Sequence, residues 1–471
     1  MSADLLDRSL HDIARLIRQR KVSSAEVTRA AIERAERLRP IVNAFIRIEA
    51  EDALKAAKRA DGLLAKGTLL GPLHGVPLAH KDMFYRRGKP STCGSKIRKD
   101  YVAAEDSTAL KRLLDAGSIY LGGLNMAEFA IGPTGHNAHW GHCRNPWNPE
   151  HVTGGSSSGS GAAVAARIVF GALGSDTGGS VRLPASQCGV VGMKPTAGLV
   201  SRHGAMPLSF TLDTIGPLTR TVRDNARLLK LIAGPDPNDP TASPSKPANP
   251  EAGLGAGVKG LRIGVPKQFF FDVASDDVRA LYEQSMAVFL KLGAKVVEVD
   301  LPDIARLTQL SNVVLASEAA TYHARWLSER PDDYQDQVRH RLEVGLFVPA
   351  QAYLQALNAR GEALRAFCDA ALTKADILAT PGMPFGAPRI DETDVGGSPA
   401  AADMVARISW CTRTANYLGV PALIVPHGFT ENHLPAGLQL IGRPFSEPLL
   451  YQAAAALERE IAFDANRPPV I

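Results

Sequence analysis

Residues 151–163 read HVTGGSSSGSGAA, and every position from 154 to 161 is glycine or serine. Such a run can be a loose linker, a backbone cradle for phosphate, or a turn that presents a hydroxyl to a reacting bond. A phosphate loop carries G-x-x-x-x-G-K-[ST], and that pattern occurs nowhere in the chain. A linker does not fit either, because the apolar segment AAVAARIVF (162–170) follows directly, and linkers seldom sit between apolar elements of a core. The turn that presents a hydroxyl remains.

A second stretch, GALGSDTGGSVRLPAS (171–186), supplies a candidate nucleophile. An apolar approach through Val169, Phe170 and Leu173 runs into Asp176, then Thr177, Gly178, Gly179 and Ser180, then Arg182 and Pro184. Two glycines before a serine let the backbone turn sharply, so that several N–H groups converge on one point, which is how an oxyanion site is built. A serine nucleophile also needs a base. No histidine lies close to Ser180 in sequence, but HGVPLAHKD (74–82) offers Lys81 within an apolar run. Burial disfavours the charged ammonium. Lowering a lysine from about 10.4 to about 8 costs about 3 kcal/mol, so only a well-packed site would hold it.

Together HGVPLAHKD, GGSSSGSGAAVAA and GSDTGGSVRLPASQCGVVGMKPT, in this order, resemble the amidase signature family of serine hydrolases. The likeness continues through LNMAEFA, RNPWNP, LDTIGPLTRTVRD, DILATPGMPF, NYLGVPALIVPHGF and LPAGLQLIGRPF, covering nearly the whole chain. The resemblance implies an α/β fold, a large mixed central sheet surrounded by helices in a single domain, with no cofactor. It implies Ser180 as nucleophile, Ser156 as bridging serine after a cis Gly155–Ser156 bond, and Lys81 as base. On the same grounds the N–H groups of Thr177, Gly178, Gly179 and Ser180 form the oxyanion hole, braced by Asp176 and Arg182. The loop Ile131–Cys143, with Gly132, Pro133, Thr134, Gly135, His136 and Trp140, is expected to line the substrate pocket.

The resemblance leaves two readings of function. One is an amidase cleaving the C–N bond of a small-molecule amide, with esters or carbamates offering the same carbonyl. The other is the glutaminase-like A subunit of a tRNA-dependent amidotransferase. Two positions depart from the family pattern: Ser158 stands where glycine is usual, and GGLN at 122–125 replaces the common GKTN.

The remaining sequence bounds the answer. The 471 residues, 45% hydrophobic and 21% charged, suit a chain that buries a large core. The net charge of +5 is scattered, with no basic stripe, so neither nucleic acid nor membrane is expected as a partner of a monomer or homo-oligomer. Five dispersed cysteines without CxxC spacing suit a reducing compartment. The charged N-terminus lacks a signal-peptide core, and the longest apolar run, 162–174, contains Arg167, so a cytoplasmic location is expected.

Organisation follows the periodicity. Residues 9–39 predict two amphipathic helices, with Ser9/Asp12 and Ser23/Glu26 as capping boxes. Residues 1–60 are expected to form a helical segment packed on a 61–471 domain, which a proline-rich surface connection at 234–257 interrupts. Short apolar runs such as GVPLAH and SIYLGGLN predict buried strands, and LRIGVP and AKVVEVDL flank a helix at 276–292. Gly255, Gly257 and Gly260 spell G-x-G-x-x-G, but before a strand, the wrong context for a dinucleotide site. The histidines of GHNAHWGHC lie in loop texture, which favours local hydrogen bonds over a metal site.

Overall fold

The computed structural model describes residues 5–471, so the first four residues of the N-terminal segment lie outside it. One eleven-stranded sheet runs through the molecule, built from β1 (Phe45–Ile48), β2 (Pro77–Lys81), β3 (Ile119–Leu124), β4 (Gly171–Asp176), β5 (Val191–Lys194), β6 (Thr214–Thr219), β7 (Arg262–Pro266), β8 (Lys295–Val299), β9 (Ile377–Pro381), β10 (Ala422–Phe429) and β11 (Pro435–Ile441). Their spatial order is β1-β3-β2-β4-β6-β5-β10-β11-β9-β7-β8. The sheet is mixed: β3, β2 and β4 run parallel, as do β9, β7 and β8, while β4, β6, β5, β10, β11 and β9 pair antiparallel in turn.

Helices cover the sheet, which explains why β2, β3 and β4 are buried along their entire length and read as small or apolar runs, broken only by the polar residues at the C-terminal ends of β2 and β4. The helix Ser158–Ala165 is buried on every side. Its small residues permit close approach: a Cβ at Gly159 would lie 2.3 Å from the Ala44 carbonyl oxygen. Composition at 154–163 therefore reflects packing rather than looseness.

At the N-terminus the helix Leu10–Arg18 starts from Ser9, whose Oγ accepts from Asp12 N–H, and Ser24–Val42 starts from a reciprocal Ser23/Glu26 box. The first sixty residues are not helical throughout. Asn43, in the left-handed conformation, ends the second helix, and FIRI then pairs as β1 along the edge of β3. Residues 234–257 carry no regular element and are largely exposed, and β7 beyond them joins the same sheet. No helix among the described residues is long and apolar enough to cross a membrane.

Candidate active site

Lys81 is the last residue of β2, and Ser175 and Asp176 close β4. The two strands are parallel neighbours, with Ala79 opposite Ala172 and His80 opposite Leu173, so their C-terminal ends emerge on one edge. Open α/β sheets bind ligands at such an edge. Ser156 reaches the same place from the loop ahead of the helix Ser158–Ala165, after a cis Gly155–Ser156 bond. Backbone contacts fix it: Gly155 N–H donates to Pro133 O (2.7 Å), and Ala127 N–H donates to Ser156 O (3.1 Å). Ser157 N–H donates to Ser180 O (3.3 Å), drawing the two serine segments together.

Lys81 has no solvent exposure, and its Nζ donates to Ser156 Oγ (2.7 Å) and Ser175 Oγ (2.8 Å). Burial pulls its pKa down to about 7 against the opposing pull of Asp213 and Asp176, so the neutral amine is well populated at neutral pH. Ser180 lines a cavity, and its hydroxyl makes no hydrogen bond among the described residues; Ser156 and Ser180 are brought into one crevice without a direct bond between their side chains.

Asp176 organises the loop that carries Ser180. Its carboxylate accepts from the N–H groups of Gly179 (2.8 Å), Val181 (3.1 Å) and Arg182 (3.3 Å), and from Arg182 Nε and Nη2 (3.0 Å each). Arg182 also donates to Thr412 O, Gln439 Oε1 and Asn416 Oδ1, so every side of this buried pair is hydrogen-bonded. Burial alone would raise the Asp176 pKa, but the Arg182 charge and these donors hold it well below the usual carboxylate range. Arg182→Met is expected to cost about 3–5 kcal/mol in a denaturation experiment, because it strands a buried carboxylate. A loss under about 1 kcal/mol would contradict this role of the pair.

The same geometry corrects one expectation. The Gly179 N–H is spent on Asp176, leaving Thr177, Gly178 and Ser180 as the N–H groups of this turn without an acceptor among the described residues. Gly179 has φ +131°, and a Cβ there would lie 2.3 Å from Thr412 Oγ1, so this position takes only glycine. Thr412 Oγ1 donates to Gly178 O (2.7 Å), fixing the peptide on the other side of the turn.

The cavity beside Ser180 has a volume of about 570 Å³. Its walls include Ile131, Gly132 and Pro133, the turn Thr177–Gly178, Leu183, Asn312 and Leu315 from the helix Ile304–Glu329, Arg341 from Asp336–Gly345, Val405 from Ala400–Ile408, and Trp410 and Arg413. Thr134, Gly135, His136 and Trp140, expected in the pocket, do not line it. Gly135 packs behind the serine loop instead, where a Cβ would lie 2.6 Å from Thr153 Oγ1, while His136 Nε2 bonds Thr393 Oγ1 (2.9 Å) and Trp140 is exposed, its backbone N–H on Asn137 Oδ1 (3.0 Å). Of the other loop histidines, His139 meets Glu128 (2.9 Å) and His142 meets Asp394 (3.6 Å). Among the described residues no group of three or more His, Cys, Asp or Glu could hold a metal ion.

This arrangement has counterparts in known proteins. A family model described as Amidase matches residues 26–451. The chain belongs to the amidase family. It is 40% identical to the A chain of the glutamyl-tRNA(Gln) amidotransferase of Moorella thermoacetica (strain ATCC 39073 / JCM 9320), over 97% of each chain. Among solved structures it is similar to a chain of a vestigial protein complex that bears on the evolutionary origins of an s-triazine catabolic enzyme (34% identity, TM-score 0.90, 96% of this chain and 98% of that one). It is also similar to the native peptide amidase of Stenotrophomonas maltophilia (31% identity, TM-score 0.85, 98% of each chain).

Within this amidase-family chain the structure accounts for one of the two departures from the usual pattern, Gly123, and offers no explanation for Ser158, whose buried hydroxyl has no hydrogen-bond partner among the described residues. A Cβ at Gly123 would lie 2.2 Å from Asp82 Oδ1 and 3.3 Å from Arg47 Nη2. Asp82 fills that space and pairs with Arg47 of β1 (3.4 Å), so no side chain fits at 123 without moving this pair. Ser158 is fully buried against the Cys143 thiol. Sequence reasoning missed Ser175, Asn312, Arg341, Trp410 and Arg413. Ser175 sat in plain view one residue before Asp176; the others come from helices and loops remote in sequence and carry no local motif.

Proposed function

We propose that the chain hydrolyses the C–N bond of an amide through an acyl-enzyme on Ser180. The observation that carries this reading is the 2.7 Å contact between the fully buried Lys81 Nζ and Ser156 Oγ, in the crevice that Ser180 lines. Neutral Lys81 takes a proton from Ser156, which takes one from Ser180, and the Ser180 oxygen attacks the carbonyl carbon. A hydroxyl suits the middle position because it both donates and accepts. The N–H groups of Thr177, Gly178 and Ser180 stabilise the oxyanion. The relay in reverse protonates the leaving nitrogen, and water activated by the same path releases the acyl group. Esters and carbamates present the same electrophile.

The Lys81 shift sets the pH dependence. A base acts deprotonated, and a pKa lowered to about 7 places the change near neutrality. The kcat/KM profile is expected to rise with pH through an inflection near 7 and then level off; a profile flat from about pH 5 to about pH 9 would contradict it.

The relatives' names favour a finer reading over a stand-alone amidase: the glutaminase component of an amidotransferase, with glutamine as the donor amide. Arg341, at the cavity wall without a hydrogen bond or ion pair among the described residues, suits a substrate carboxylate under either reading. The test compares glutamine and p-nitroanilide hydrolysis by the isolated chain and by the chain mixed with amidotransferase partner subunits. Glutaminase activity appearing only in the mixture supports the amidotransferase reading. Anilide hydrolysis by the chain alone supports the free-standing amidase. Failure of both removes amide hydrolysis as the function.

A further inference from the structure

The charge of the cavity wall is one-sided. Two guanidinium groups line it, Arg341 and Arg413, and no aspartate or glutamate does. Arg413 Nη1 donates to Asn312 Oδ1 (2.6 Å) and its Nε to Ser409 Oγ (2.8 Å), both neutral acceptors, so its charge is solvated but not cancelled. Arg341 makes no hydrogen bond or ion pair among the described residues. Burial lowers both pKa values, that of Arg413 further through the Arg341 charge, yet to about 9 and about 10, so both stay protonated near neutral pH.

Carboxylates on the elements around the cavity are committed elsewhere. Glu343, between the lining residues Leu342 and Val344, pairs with Arg339 (3.5 Å). Glu318, on the helix that supplies Asn312, accepts from Ser209, Thr211 and Tyr353. Asp213 accepts from Thr177 Oγ1 (2.6 Å) and from the N–H groups of Leu208 (2.9 Å) and Ser209 (3.0 Å). Asp403 lies on the helix Ala400–Ile408 but faces a different cavity, on the side of Met404 and Arg407. Arg413 lies beside the Ser180 turn, where a Cβ at Gly178 would come within 3.8 Å of its Nη1, and the other lining side chains are neutral, among them Leu183, Leu315, Gln309 and Trp410.

We propose that this site selects by charge for amides that carry a carboxylate and no ammonium group. Arg341 takes the carboxylate, and Arg413 adds a second positive charge that repels an amine. A zwitterion such as glutamine gains at Arg341 but loses at its ammonium, which finds two like charges and no counter-charge in a site of low dielectric. Arg341 and Arg413 are thus specificity residues. The inference rests on the amide-hydrolysis reading for its identity as a substrate preference, and it speaks against glutamine as the donor amide and so for the free-standing amidase, while the charge selection itself is a property of binding.

Two measurements separate these. Calorimetric titration of the wild-type chain with glutarate and with L-glutamate reads charge selection without catalysis. Glutarate is expected to bind at least about 30-fold tighter, Arg341→Gln to weaken both ligands, and Arg413→Gln to remove most of the difference between them. The kcat/KM ratio of the monoamide of glutaric acid to L-glutamine is expected to exceed about 30, carried mainly by KM, and to fall at least about tenfold in Arg413→Gln. Equal or tighter binding of glutamate, or a binding ratio unmoved by Arg413→Gln, overturns the proposal. The binding preference without hydrolysis of either amide supports the charge selection and overturns the amidase reading instead.

Discussion

Replacement of Ser180 by alanine is expected to abolish amide hydrolysis, with a loss on the order of 10⁶-fold in kcat, and to leave the fold intact. The Ser180 hydroxyl takes no hydrogen bond among the described residues and borders the cavity, so its removal strands no buried partner. The change in stability should stay within about 1 kcal/mol. The remaining N–H donors and cavity still bind substrate, so KM should move far less than kcat. Activity above about 1% of wild type in a well-folded variant would take Ser180 out of the mechanism.

Lys81→Met is expected to lower kcat/KM about 10³- to 10⁴-fold and to erase the inflection near pH 7. Methionine keeps much of the volume and is at home in an apolar interior, whereas a buried amine is costly to ionise. The two buried hydroxyls it leaves, Ser156 and Ser175, offset part of that gain, so stability should stay within about 2 kcal/mol of the wild type, which separates loss of the base from loss of structure. Lys194 provides a control. It is also fully buried, with its pKa lowered to about 7 by burial and the Arg182 charge, but its Nζ donates to Pro195 O, away from the serines. A variant lacking Lys81 that retained an inflection near 7 would point to Lys194 or another group as the titrating base. Loss of the inflection assigns it to Lys81.

The parts of the site legible in the sequence are those that close packing makes unusual. A run of glycine and serine ahead of an alanine-rich segment has few physical uses, and here Gly159 and Gly179 sit where a Cβ would meet the Ala44 carbonyl or Thr412. Lys81 stood out because a cation ending an apolar run is expensive unless used. Strands β2 and β3 showed as buried apolar runs for the same reason. The substrate wall was not legible. Arg341, Trp410 and Arg413 sit among residues typical of any helix or loop, and only the fold of the second half of the chain brings them over Ser180. The loop Ile131–Cys143 misled in the opposite direction. Its nearness in sequence to the serine stretch suggested a pocket wall, but after Pro133 it turns behind Gly154–Gly155 and supports the loop from the rear. Strand β1 was hidden because four residues, FIRI, carry too short a pattern to outweigh the long helices on either side.

The central claim is that three groups from distant segments form one proton path ending at the Ser180 oxygen. Rapid-quench peptide mass spectrometry during turnover of an activated amide or ester tests it most directly. An acyl mass on the peptide containing Ser180, absent in Ser180→Ala and slow to form in Lys81→Met, is the result this account predicts. Turnover with no acyl mass on that peptide, or with the acyl group on another residue, would contradict it.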